Sequence, residues 1–134
     1  MAALSNYLES ALINHILRNT PYTSPGTSIY IALYTSNPTD ADSGSEPSGN
    51  NYARVQVTAW DAPSTPGVTQ NTNVITFPTA SGSWGTITHV GIRDASSGGN
   101  LLFHGALAES KAIGTNDVFQ FPAGSLDVTM DVDA

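Results

Sequence analysis

The sequence predicts a mainly β fold: a β-sandwich or barrel of about seven strands with one N-terminal amphipathic helix. Three observations carry this expectation. Charged residues make up only 11% of the 134-residue chain, against about a quarter in an average domain, while Gly, Pro, Ser, Thr and Asn fill much of the remainder. Short apolar runs recur at roughly 8–15-residue spacing, separated by turn residues. A single segment, at the N-terminus, repeats its apolar residues every fourth position.

That segment covers residues 3–18, where Leu4, Leu8, Leu12 and Ile16 fall on one helix face with Tyr7, Ala11 and His15 beside them. Ser5 is suited to cap the helix and Pro21 to stop it. Residues 28–35 alternate Ile29, Ile31 and Leu33 with Tyr30, Ala32 and Tyr34, a strand apolar on both sides that belongs near the middle of a sheet. From Ser36 to Asn51 no periodicity survives, which predicts an exposed loop over 36–51, long enough to serve a partner. Further strands are expected at 52–58 and at 68–77, the latter as one strand or two. The clearest hairpin joins 86–94 to 100–107 through Ala95-Ser96-Ser97-Gly98-Gly99. Val118–Phe121 and Leu126–Val132 complete a β domain over 28–132, and the whole chain, 1–134, is expected to be one domain.

Charge narrows the partners. Four basic residues, Arg18, Arg54, Arg93 and Lys111, face eleven carboxylates for a formal charge of −7, so the chain repels a nucleic-acid backbone. It has no cysteine, which removes disulfides and thiolate sites. No apolar stretch approaches the roughly 20 residues of a membrane span, and the N-terminus lacks a signal-peptide pattern. A soluble product of a bacterial cytoplasm is expected, with neither nucleic acid nor membrane as partner.

The residues capable of chemistry do not assemble into a site by spacing. Asp40, Asp42 and Glu46 alternate like calcium ligands, but Gly44 stands fifth instead of sixth and strands flank the loop. A hairpin register pairing residues that sum to about 193 sets His89 opposite His104; two imidazoles could begin a zinc site, but the nearest third ligand, Asp94, is at the turn. Ser81-Gly82-Ser83-Trp84-Gly85 is no nucleophile elbow, and its glycines bend the chain while Trp84 fills space under the sheet. Asp127, Asp131 and Asp133 line the outer side of a strand rather than a cleft. Arg54 and Arg93, each within a strand, suit bidentate pairing with a carboxylate of the chain or of a partner. No catalytic, cofactor or metal site is therefore assigned, and the protein is expected to act by contact, not as an enzyme. Leu4, Leu8 and Leu12 on the helix, with Asp40, Asp42, Glu46 and Arg54, are the candidate contact residues.

Tyr52-Ala53-Arg54, Ser81-Gly82-Ser83-Trp84-Gly85, Thr88-His89-Val90-Gly91-Ile92 and Gly99-Asn100-Leu101-Leu102-Phe103-His104-Gly105-Ala106-Leu107 carry a likeness that extends over nearly the whole chain. It runs from Leu4-Ser5-Asn6-Tyr7-Leu8-Glu9 through Ile31-Ala32-Leu33-Tyr34-Thr35 to Phe121-Pro122-Ala123-Gly124-Ser125-Leu126. In these motifs the sequence resembles small tailed-bacteriophage virion proteins commonly labelled phage tail fibre proteins. The resemblance implies a non-enzymatic virion structural protein, multicopy, touching the major capsid protein or other virion proteins, with a homotrimer among the assemblies it allows. Because the sequence has no coiled coil, β-helical repeat or shaft, the expected role is a capsid decoration (cement) protein that stabilises the outer shell. A tail fibre or other adsorption protein is the alternative. A carbohydrate-binding module using Tyr22, Tyr52 or Trp60 is the third.

Overall fold

A computed structural model describes residues 3–130. Among them the chain is mainly β and sandwich-like, with nine strands and one helix, α1 (Asn6–Leu17). A five-stranded antiparallel sheet holds β1 (Ala3–Leu4), β7 (Leu101–Ile113), β6 (Gly85–Arg93), β2 (Tyr30–Tyr34) and β3 (Val55–Gln56), in that order. Two short ribbons complete the fold: β4 (Val68–Gln70) with β9 (Asp127–Thr129), and β5 (Ile75–Thr76) with β8 (Gln120–Phe121).

β2 occupies the inner position that its double-sided apolar pattern predicts. Its register sets Ile31 against Ile92 and Leu33 against Val90, and these four side chains share one sheet face. That face packs on Ile75, Phe77, Phe119, Phe121 and Val128 from the ribbons and their flanks, forming the main core. Three phenylalanines lie at its centre, with Phe77 edge-on to Phe119 at 5.8 Å between centroids and Phe119 edge-on to Phe121 at 5.1 Å. Trp84 is buried as expected, and its indole N–H donates to the Asn50 carbonyl at 2.8 Å.

On the opposite face of β2, Ala32 and Tyr34 are equally buried, together with Leu101. Gly91 makes this possible. A Cβ there would stand 2.7 Å from Tyr34 Cε2 and 2.9 Å from Leu101 Cδ1, closer than packed atoms tolerate. Gly91→Ala is therefore expected to cost about 1–3 kcal/mol through overpacking. Urea unfolding checks this, and an unchanged midpoint would mean that the tyrosine can move aside.

Several expected elements differ in extent. The helix begins after Ser5, which caps it by accepting from the Leu8 N–H at 3.1 Å, so residues 3 and 4 pair as strand β1 instead of opening the helix. Of the strand expected over 52–58, only Val55–Gln56 pairs. The 68–77 stretch divides into two strands. The second hairpin arm extends to Ile113, beyond its expected end at 107. Of the final strand, Asp127–Thr129 pairs, and the part beyond Met130, with Asp131 and Asp133, lies outside the described residues.

Candidate functional site

The 36–51 loop faces solvent along much of its length, yet it is tied down as a strap. Ser43 N–H donates to the Pro38 carbonyl at 2.5 Å and Thr35 N–H to the Ser45 carbonyl at 2.9 Å, closing a compact Ω-like turn. Pro38 is fully buried, and a Cβ on Gly44 would lie 2.7 Å from its Cα, so glycine is required for this closure. The three carboxylates of the strap do not converge on one point, as a cation would demand. Each goes to a different basic side chain: Asp40 to His104 at 2.7 Å, Asp42 to Arg93 at 2.7 Å and Glu46 to Arg54 at 2.5 Å.

Arg93 is the central pin. It is buried, and all five of its N–H donors are used. Nη1 and Nη2 grip both Asp42 oxygens at 2.7 and 2.8 Å. Nη1 also donates to Tyr34 Oη, Nη2 to the Gly99 carbonyl and Nε to the Gly98 carbonyl. Burial opposes the Arg93 charge, but the hydrogen bonds to Asp42 and Tyr34 more than offset it and hold its pKa above the ordinary arginine value. Arg54 repeats the arrangement, with Nε and Nη2 on Glu46 and Nη1 on the Ala95 and Gly98 carbonyls. Both arginines thus tie the strap to the β6–β7 turn, a bidentate use of guanidinium that lysine could not copy. Tyr52 joins the same network: its hydroxyl donates to Glu46 at 2.7 Å and accepts from the Leu33 N–H at 3.0 Å. Burial, first of all, pushes its pKa well above that of a free tyrosine.

The expected histidine pair is corrected by the register. His89 lies opposite Ala106 and His104 opposite Gly91, so the rings are diagonal neighbours, because β7 carries bulges that shift the pairing. His104 turns to Asp40, and His89 Nδ1 lies 2.8 Å from the Thr88 hydroxyl. Among the described residues no three His, Cys, Asp or Glu side chains are grouped to hold a metal, and no helix is long and apolar enough to cross a membrane. Burial, aided by the nearby His104, holds the His89 pKa below its ordinary 6.5. The fold therefore favours neutral His89 over its protonated form. The stability it contributes is complete above about pH 6.5 and is lost as pH falls from there through the folded pKa. The melting temperature should drop on acidification from about pH 7.5 to 5.5, and less steeply in His89→Gln. Parallel slopes would remove His89 as a cause.

The helix is the second surface expected to meet a partner, and here the structure corrects the assignment. Leu4 and Leu8 are buried against Leu102 of the same chain, with Leu12 partly so; the first two have no side-chain surface left to offer. Past Leu12 the large apolar side chains of the helix are exposed. Ile13, Ile16 and Leu17 are 56%, 71% and 77% exposed, and their i, i+3, i+4 spacing makes one patch. Ile16, placed by periodicity on the buried face, is thus outside. The aromatics considered for sugar binding are engaged: Tyr22 packs on the helix cluster, and Tyr52 and Trp60 pack on the main core.

One feature was invisible in the sequence. An apolar groove lies between β7 and the β4–β9 ribbon, in two adjoining hollows of about 220 and 260 Å³ that share Thr69, Phe103 and Val128 as a wall. Trp60 lines one hollow and Met130 the other. Its lining residues are scattered from Ile29 to Met130, so no local motif could announce it.

Fold and surfaces together define a β protein in which two arginines and His104 pin one loop and which keeps an apolar groove and an apolar helix end at its surface. The family model described as Podophage GP4 fiber I protein gp80 matches residues 3–129. The chain belongs to this family. That makes it a bacteriophage virion structural protein that meets other virion proteins. No curated protein matches the chain. The family description favours a fibre over the capsid decoration expected from the missing shaft.

Proposed function

We propose that the chain is a fibre component of a tailed-phage particle, a compact block that works by protein contact and without chemistry of its own. The observation that carries this reading is the family match, which spans residues 3–129 under a fibre description. The structure is compatible with such a role: Arg54, Arg93 and His104 are consumed in pinning the strap, and an apolar groove and helix end are left at the surface. Charge reversal at Asp40, Asp42 or Glu46 would therefore break these pins before it tested any partner.

Electron-microscopy reconstruction of the particle, with antibody labelling, tests the reading. The label is expected on fibres or the tail, in amounts far below the major capsid protein, and the antibody should slow adsorption. A label spread over the whole shell at near-capsid stoichiometry would overturn the fibre role and restore capsid decoration.

A further inference from the structure

The apolar groove and the bare helix end are complementary in shape class and in charge. The two hollows of the groove, at about 220 and 260 Å³, lack the convergent polar groups of small-molecule sites. Thr69 does not supply one, because its hydroxyl already donates to the Asp61 carbonyl at 2.5 Å. Hollows of this size and lining suit single aliphatic side chains presented by a protein. The last turns of α1 present three: Ile13, Ile16 and Leu17.

Charge agrees with this match. Segments 59–71 and 122–130, which build the ribbon side of the groove, contain Asp61 and Asp127 and no cation. The helix end from Ile13 to Arg18 contains no carboxylate. Arg18 and Lys111 are the basic residues that pair with no carboxylate among the described residues, and Arg18 directly follows Leu17. A chain of net charge −7 repels its own copies in most orientations. Docking the helix end on the ribbon side of another copy puts one of its few uncommitted cations against an acidic surface.

The geometry points to head-to-tail self-association: the Ile13–Ile16–Leu17 patch of one copy seats in the Phe103–Val128–Met130 groove of a second copy. Patch and groove are different surfaces of one chain, so the contact is heterologous and propagates to a closed ring or an open row. It stands whether the assembly is a fibre or a shell.

Two variants test it. Leu17→Asp spoils the patch and Met130→Asp spoils the groove; both side chains are substantially exposed, so each variant should melt as the wild type does. Sedimentation of the full chain up to roughly 100 µM should show association in the wild type and at least about tenfold weaker association in each variant alone. A mixture of the two should form a one-to-one dimer, because each supplies the half-interface the other lacks. If Met130→Asp alone associates like the wild type, patch meets patch and the proposal fails. A wild type that stays monomeric throughout also overturns it and leaves the groove to a different virion protein.

Discussion

Phe77→Ala is expected to destabilise the protein by about 3–5 kcal/mol, at the top of the range for core truncations. Phe77 is 1% exposed, and its ring contacts both Phe119 and Phe121 edge-on. Phe77 comes from one arm of the β5–β8 ribbon and Phe119 and Phe121 from the other, and all three belong to the core that the ribbon shares with the sheet. Removing one ring deletes its own burial and opens a cavity that the β5–β8 ribbon, only two residue pairs long, is too short to close by relaxing. Domain stabilities run from about 5 to 15 kcal/mol, so the variant should unfold at a much lower denaturant concentration. Urea titration with an unchanged slope would assign the loss to stability rather than to a changed unfolded state. A shift below about 1 kcal/mol would mean that the ribbons repack.

How much of this was legible depends on the range of the interaction. The β2 strand was readable because Ile29, Ile31 and Leu33 alternate with Tyr30, Ala32 and Tyr34, and strand periodicity is local. Ser5 as the helix cap was readable for the same reason. The end of β7 was not, since Ala108 to Ala112 are all exposed, and a strand with no buried face leaves no alternation. Ile16 continued the four-residue repeat of the helix, but it is 71% exposed, and periodicity carries no information about where a neighbour stops. The suitability of Arg54 and Arg93 for carboxylates followed from guanidinium chemistry. Their partners did not, because Asp42 lies 51 residues from Arg93 and eleven carboxylates were available. The Asp40–Glu46 run looked like a free acidic loop for the same reason: what binds each carboxylate is set by tertiary placement.

Arg93→Met should cost about 3 kcal/mol and loosen the strap before the rest of the fold. Methionine keeps much of the volume but supplies none of the five donors, which leaves the Tyr34 hydroxyl, the Gly99 carbonyl and the Asp42 carboxylate short of partners, while the Gly98 carbonyl keeps only Arg54. Breaking a buried pair from one side costs about 3–5 kcal/mol because the other charge stays behind. The Asp42 side chain is 35% exposed, so water can take over part of its solvation, and the lower end of that range applies. Asp42→Asn should cost a comparable amount, since it leaves the buried Arg93 charge without its counter-ion although the carbonyl and tyrosine acceptors remain. The double variant should be less destabilised than the sum of the two, by about 0.5–3 kcal/mol, the range for residues in direct contact. Amide hydrogen exchange separates the strap from the core: protection at Ser43 and Ser45, whose N–H groups close the turn, should fall more than protection along β2 and β6. Additive losses, or equal loosening of strap and core, would show that the Asp42–Arg93 pair is a bystander and that the buried Pro38 and the other two ion pairs hold the loop.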